Sequence, residues 1–200
     1  VCGDGQPFGI PMASGDPSFG FICCKKEFVR QLPGRIIGRT EDSEDRVGYT
    51  LTLQAREQHI RRDKATSNIC TNQGLLVTAG TIYLSLMGPT GLRATLEKSY
   101  ENASLLRTRL LELDGVEPFF PGSTSLHEFS LKLPIESHVL VQELLEHKIL
   151  AGIEMAPFSL DLPEAESGLI IAVTEKRTLN EIEDYVKKFS QALAGQLETV

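Results

Sequence analysis

The chain has 200 residues, enough for one large domain or for one and a half domains of ordinary size. Apolar residues make up 41% of the sequence, which excludes wholesale disorder, and a formal net charge of −7 argues against nucleic-acid binding as the main task of the surface. No signal peptide is recognisable and no C-x-x-C pair occurs, so no metal site is expected. The four cysteines are predicted to be free, buried thiols.

The first segment, "GDGQPFGIPMASGDPSFGF" at 3–21, has the glycines and prolines of a loop that could hold a cofactor. Gln6 and Ser14 could line a vestigial cavity there, but a turn that only shapes the backbone is the favoured interpretation. A buried strand is predicted over 19–25. Because the chain starts without methionine inside this loop, we expect that an N-terminal half precedes it.

Charged and polar segments follow. A short helix is predicted at 26–31, ended by Pro33-Gly34, and then a loop with a mobile tip over 34–48. "YTLTL" at 49–53 alternates and predicts a strand. The polar stretch 54–73 is expected to be half helical and half irregular.

Two helices are predicted next. The first, at 74–87, is expected to be buried, ended by Gly88-Pro89 and too short in its apolar run to span a membrane. The second covers about 91–113. Its apolar residues step by three or four along one face, which is expected to be buried; they are Leu92, Leu96, Tyr100, Ala103, Leu106, Leu110 and Leu113.

The last third alternates strands and helices. Strands are predicted at 128–133, 152–160 and 168–174, with a helix over 136–148. Thr178 and Glu181 form a capping box that opens the final helix. Helices packed on a small antiparallel or mixed sheet are the expected product, an α+β arrangement.

Three stretches of this sequence carry a family resemblance: the opening loop, "PGRIIGRTEDSEDRVGYTLTLQAREQHIRRDKATSNICTNQ" and "YLSLMGPTGLR". Together they resemble the P-protein family of the glycine cleavage system, glycine dehydrogenase (decarboxylating). Within that family they are similar to subunit 1 of the two-subunit bacterial form. The resemblance is dense over the first 93 residues, whereas the C-terminal sheet region would fit many families.

The resemblance implies an α/β fold, the C-terminal portion of a fold-type I pyridoxal-phosphate enzyme. Residues 1–88 would then be the end of the large cofactor domain with a linking helix, and 89–200 a small α+β domain. It also implies a cytoplasmic oxidoreductase of glycine catabolism. There, glycine loses CO2 on pyridoxal phosphate, and its aminomethyl group passes to the lipoylated H-protein.

The same resemblance gives Gln6 its meaning. In the related catalytic subunit, subunit 2, this loop carries the lysine that holds pyridoxal phosphate covalently. Here Gln6 occupies that place. A carboxamide nitrogen shares its electron pair with the adjacent carbonyl, so it cannot attack an aldehyde as an amine does. We therefore expect no catalytic or cofactor-binding residue in this chain, and pyridoxal phosphate held by a partner in a heterotetramer.

Contact with that partner is predicted in the charged segments. A loop crossing a subunit interface and an exposed loop with self-paired charges are equally good interpretations of Arg35 and Arg39. For "REQHIRRDK" and "TSNICTN", interface packing is preferred over a solvated helix face or a nucleic-acid patch. The candidates are Arg35, Arg39, Arg56, His59, Arg61, Arg62, Asn68 and Asn72.

Two alternatives stay open. Lys25 or Lys26 could replace the missing lysine, although both are expected to be surface charges. Residues 115–200 could instead form an independent amino-acid-binding or regulatory module, for which no sequence feature indicates a ligand.

Overall fold

The chain folds as a mixture of helix and sheet that divides into two compact units, Val1–Gly88 and Pro89–Val200. The computed structural model describes residues 1–12, 17–33, 36–53, 58–65, 73–158 and 161–197.

The first unit contains two separate antiparallel strand pairs. Their strands are β1 (Cys2–Asp4), β2 (Gly20–Ile22), β3 (Ile36–Glu41) and β4 (Val47–Thr52). A 3-10 helix at Lys26–Gln31 lies between the two pairs, and the helix α1 at Gln58–Arg61 and a 3-10 turn at Arg62–Lys64 follow β4. The helical turn at 26–31 is confirmed, whereas the strand predicted over 19–25 is shorter than expected.

The long helix α2 runs from Gly74 to Leu111 and is interrupted at Gly88, whose φ is 59° and ψ 179°. The predicted break at Gly88-Pro89 is confirmed, and proline is well suited to start the second segment because the first turn of a helix needs no N–H from it. The predicted burial of 74–87 is wrong. Leu75 and Leu86 are each 83% exposed.

By length and composition alone, α2 could cross a bilayer: an 18-residue window has a mean hydropathy of 1.4, and only 6% of it is buried. The apolar run within 74–87 was expected to be too short to cross a membrane, but the whole helix α2 is long and apolar enough to do so. One such helix is weak evidence for a membrane protein. Its hydroxyl groups bond to the helix backbone, as in Thr81 Oγ1 to the Val77 carbonyl at 2.7 Å.

The second unit is built on one four-stranded antiparallel sheet in the order β5-β6-β8-β7. Its strands are β5 (Glu117–Pro118), β6 (Glu128–Lys132), β7 (Ile153–Glu154) and β8 (Gly168–Ala172). The helices are α3 (Ser137–Glu146) and α4 (Leu179–Leu197), with 3-10 turns at Ala156–Phe158 and Ala165–Ser167. The strand expected over 152–160 is only two residues long, because the chain turns at Ala156.

One hydrophobic core holds this second unit together. It joins the sheet to α2, α3 and α4 through side chains that are almost completely buried, among them Leu110, Leu131, Leu140, Leu169 and Phe189. The predicted capping box is confirmed: the Thr178 N–H donates to Glu181 Oε2 at 2.8 Å, and the Glu181 N–H donates to Thr178 Oγ1 at 3.3 Å.

Around residues 96–102, the buried face of α2 differs from the predicted one. Leu106 and Leu110 are buried as expected, but Leu96 and Tyr100 are about half exposed. Ser99 and Asn102 are buried instead, 6% and 1% exposed. Asn102 Nδ2 donates to the carbonyls of Thr174 and Arg177, at 3.1 and 2.9 Å. Polar side chains take these places because they satisfy the backbone between β8 and α4.

Candidate cofactor loop and subunit interface

The strand pair β1–β2 closes the opening segment into a loop. Asp4 lies opposite Gly20, and the Gly5 N–H donates to the Phe19 carbonyl at 2.6 Å. The Val1 amino group and the Cys23 carbonyl continue the ladder at 3.0 Å. Within the described part of the loop, Phe8 and Phe21 pack with ring centroids 5.9 Å apart. Ser14 and Asp16 lie outside the described residues.

Glycines let this loop approach α2 closely. Gly9 has a φ of +87°, and a Cβ built on it would lie 2.7 Å from Tyr83 Cβ. A Cβ on Gly80 would lie 2.6 Å from the Phe19 ring. Since real Cβ atoms essentially never approach this closely, a larger residue at Gly9 would push the loop off the helix, and one at Gly80 would force the Phe19 ring to move.

The backbone of Gln6 is fixed on both sides. Its N–H donates to Asp4 Oδ1 at 2.7 Å, and its carbonyl accepts from the Ile10 N–H at 3.1 Å. The Ser18 hydroxyl also donates to Asp4 Oδ1, and these two bonds hold the pKa of Asp4 below its usual range. Gln6 itself is half-buried, and its amide forms no hydrogen bond within the described residues.

The described loop does not fit covalent attachment of pyridoxal phosphate. Gln6 offers an amide without a nucleophilic electron pair, and the neighbouring Asp4 is a carboxylate that disfavours an anionic phosphate. Lys25 and Lys26 lie at the start of the 3-10 helix and are both exposed. These residues can form part of the wall of a cofactor site, but no amine lies at the position of Gln6.

The cysteines depart from expectation. Cys2, Cys23 and Cys24 are free, but all three are exposed rather than buried. They belong to short strands or strand ends in the first unit, where little of the surface is covered. Cys70 lies outside the described residues.

The segment predicted as a loop over 34–48 is instead most of a β-hairpin, so that prediction is wrong. β3 and β4 pair along their full length, with Ile37 opposite Leu51 and Arg39 opposite Tyr49. Directly opposite residues point to the same face of a hairpin. This face, which we call the hairpin face, exposes Ile37, Arg39, Val47, Tyr49 and Leu51.

A carboxylate organises the tip of the hairpin. Asp42 Oδ1 accepts from the N–H groups of Glu44 and Arg46, at 2.8 and 3.0 Å, and Asp42 Oδ2 accepts from Arg46 Nε at 2.9 Å. These bonds hold the pKa of Asp42 below its usual range. The acidic residues at 41–45 therefore form an ordered turn and not the mobile tip that was predicted, because the Asp42 carboxylate accepts the backbone N–H groups of the turn.

The other predicted interface residues are only partly covered by the described structure. Arg61 ends α1 and Arg62 follows it with a φ of 53°, and both are exposed. His59 lies in α1, but its side chain is outside the description, as are Arg35, Arg56, Asn68 and Asn72. The structure thus places Arg39 on the hairpin face and Arg61 and Arg62 on a separate helical turn.

Sequence reasoning named Arg39 but missed the apolar residues that share its face. The signal was available: Ile37, Arg39 and Glu41 occupy alternate positions, as do Val47, Tyr49 and Leu51. Alternation on both sides of a short polar turn is typical of a hairpin.

Comparison with known proteins accounts for nearly the whole chain. The sequence model of the family described as glycine cleavage system P-protein matches residues 1–189. A protein of Methylococcus capsulatus named "Probable glycine dehydrogenase (decarboxylating) subunit 1" is 50% identical over 193 residues, covering 96% of this chain and 42% of the relative. A Coxiella burnetii protein of the same name is 54% identical over 187 residues, covering 92% of this chain and 41% of the relative.

Solved structures agree. A crystal structure of glycine decarboxylase (P-protein) of the glycine cleavage system, in inhibitor-bound form, superposes with a TM-score of 0.81 at 42% identity, covering 96% of this chain and 43% of that chain. A NifS-like protein of Rickettsia africae shares the fold alone, with a TM-score of 0.51 at 15% identity over 67% of this chain and 38% of that chain. The chain spans about two fifths of the length of the relatives it matches.

Proposed function

The chain belongs to the glycine cleavage system P-protein family, and on this premise we propose that it acts as a non-catalytic subunit of glycine dehydrogenase (decarboxylating). Its fold class is α/β, of the fold-type I pyridoxal-phosphate kind. Its relatives are named subunit 1, which implies a partner subunit. In this proposal the catalytic subunit 2 supplies the reactive lysine, and the two form a heterotetramer.

Gln6 is the observation that carries the proposal. Its backbone is held by Asp4 and Ile10 in an ordered loop, so the position is structurally maintained while the side chain lacks an amine. When bound to the partner, pyridoxal phosphate would supply the electron sink for decarboxylation. This chain would contribute the shaped loop and the surfaces that keep the partner's site in place.

The hairpin face is the part of the described structure best suited to contact the partner. An isolated two-stranded hairpin is marginally stable in water, so exposed apolar residues on one of its faces favour a protein contact. Tyr49, 74% exposed, and Arg39 are the residue types enriched in such contacts. We propose the same contact for the other interface candidates that the sequence indicates. They are Arg35, Arg56, His59, Arg61, Arg62, Asn68 and Asn72.

We propose that each of the two units corresponds to one part of the family's architecture. Val1–Gly88 is proposed as the end of the large cofactor domain with its linking helix, and Pro89–Val200 as the small C-terminal domain. The aminomethyl group would pass to the lipoylated H-protein, in the cytoplasm. Protein, rather than a bilayer, is proposed to cover the exposed apolar residues of α2, because a single helix of this length and composition is weak evidence for a membrane span.

The test uses both full-length subunits. Mixing them is expected to restore exchange between CO2 and the carboxyl group of glycine, measured with labelled bicarbonate, while neither alone exchanges at the full rate. Subunit 2 exchanging at full rate alone would refute the proposal.

The contact surface is tested separately with the double variant Arg39→Ala/Tyr49→Ala. It is expected to weaken co-purification of the two subunits about tenfold or more, since exposed tyrosine and arginine anchors often dominate an interface. Thr50→Ala is the matched control, because Thr50 pairs with Gly38 on the opposite face of the same hairpin. Equal co-purification of the double variant and the control would remove the hairpin from the interface.

A further inference from the structure

The second unit contains a cavity that the proposed function does not use. It has a volume of about 510 Å³ and lies between the segment after α3, the end of β8 and the first turns of α4. This volume falls within the roughly 300–1,000 Å³ of pockets that hold small molecules. Its floor is apolar, with Leu106, Ile171 and Ile182 each about 3% exposed.

The polar group in the wall of the cavity is already satisfied. Tyr185 donates its hydroxyl hydrogen to the Ala151 carbonyl at 2.6 Å. Burial raises the pKa of Tyr185, so the phenol stays neutral. No buried side-chain nitrogen or oxygen in the described residues lacks a hydrogen-bond partner. A ligand in this cavity is therefore not required to bond a buried polar atom, and its body meets apolar surface at the floor and polar surface elsewhere in the wall.

The rim of the cavity carries four charges, of which three are paired. Arg177 Nη1 lies 3.3 Å from Glu181 Oε1, and Asp184 Oδ2 lies 2.8 Å from Lys188 Nζ. Lys148 is the remaining rim charge, and it forms no ion pair with any residue in the described ranges. Its backbone is left-handed, with a φ of 60°, where the chain leaves α3.

From this arrangement we propose that the cavity binds a small organic anion with an apolar body, a branched or aromatic monocarboxylate. The apolar floor takes the body, and Lys148 pairs with the carboxylate at the rim. Glycine has no side chain to bury on this floor, so the ligand is distinct from the substrate of the proposed decarboxylation. The inference does not rest on the proposed function.

The probe is 4-methylpentanoate, titrated into the full chain and followed by ligand-observed NMR and calorimetry. We expect binding at about millimolar Kd, since so small a ligand has few atoms to bury. 3-Methylbutylamine, a cation with a similar branched body, is the matched comparison and is expected to bind at least about threefold more weakly, because it meets Lys148 with like charge. Equal binding of acid and amine, or no binding of the acid, overturns the proposal.

Two variants locate the site. Asn at position 148 tolerates the left-handed backbone, and Lys148→Asn is expected to weaken binding of the acid by about threefold to fivefold, the upper part of the range for an exposed ion pair. Lys176→Asn, outside the cavity, is the control and is expected to leave the affinity unchanged. Ala172→Trp, at an exposed position on the cavity wall, is expected to weaken binding tenfold or more. Unchanged affinity in Lys148→Asn overturns the proposal even if Ala172→Trp does not fold.

Discussion

The two units of this chain differ in how many apolar side chains they bury. Every buried hydrophobic residue in the described part of the chain, except Ile10, belongs to the second unit. The first unit instead exposes large apolar residues on the hairpin face and along α2, such as Tyr49, Leu75 and Leu86. Since apolar burial is the main force that stabilises a fold, the second unit carries its own stability. The exposed apolar surfaces of the first unit are suited to contact with another protein.

The largest expected effect lies in the core of the second unit. Phe189→Ala removes a ring that is completely buried and should lower the free energy of unfolding by about 3–5 kcal/mol. Urea denaturation followed by circular dichroism measures it. Leu179→Ala, on the same helix but 58% exposed, is the control and should cost less than about 1 kcal/mol. Similar losses in both variants would contradict a single dominant core in this unit.

The next effect concerns the buried amide that apolar periodicity did not reveal. Asn102→Leu leaves the carbonyls of Thr174 and Arg177 without their donor and should destabilise the chain by about 1–3 kcal/mol. The exposed neighbour Glu101, changed to Gln, should have almost no effect. An equally stable Asn102→Leu variant would show that water replaces the amide.

A smaller effect is expected at the start of α4. Thr178→Ala removes the cap and should cost about 1 kcal/mol, and Thr178→Ser should restore most of it. The N–H and the hydroxyl of Thr178 lower the pKa of Glu181, so the contribution of this contact is complete above the ordinary glutamate pKa of about 4.3 and is lost as the pH falls below it. A cost of Thr178→Ala that does not shrink in acid would show that it comes from the Thr178 hydroxyl accepting the Glu181 N–H, and not from the contact with the Glu181 carboxylate.

The smallest effect is predicted for the exposed face of α2. Leu86→Gln should change the stability of the isolated chain by less than about 0.5 kcal/mol, because the side chain is 83% exposed. If protein rather than a bilayer covers this face in the cell, the chain should not float with phosphatidylcholine vesicles in a density gradient. Flotation that Leu86→Gln weakens would show that the helix enters lipid.

Sequence reasoning succeeded where local signals and packing agree. The capping box, the break at Gly88 and the elements β6, α3 and β8 are local patterns that the core of the second unit preserves. In the hairpin it predicted the second strand, at 49–53, which β4 confirms, but it missed β3, because glycines and acidic residues in 34–48 indicated a loop. The predicted burial of 74–87 was also wrong. Apolar composition indicates that side chains are buried against something, but it does not show whether the partner surface lies within this chain.

At the candidate site, too, the sequence predicted some features and only the fold showed the others. The prediction that Gln6 occupies the place of a reactive lysine came from the resemblance and the chemistry of an amide. The hydrogen bonds that hold Gln6 came only from the fold, because they depend on Asp4 and Ile10 reaching it through the turn. The cavity beside Lys148 had no sequence signal, since its lining comes from four separate segments of the chain.

Covalent trapping of pyridoxal phosphate would show whether this chain or its partner holds the cofactor. The purified full chain would be incubated with pyridoxal phosphate, reduced with borohydride and mapped by peptide mass spectrometry. We expect only sparse, scattered labelling of exposed lysines and no yellow protein after dialysis. Stoichiometric label on Lys25 or Lys26, with bound cofactor that survives dialysis, would show that this chain holds the cofactor itself and would contradict the assignment of that role to its partner.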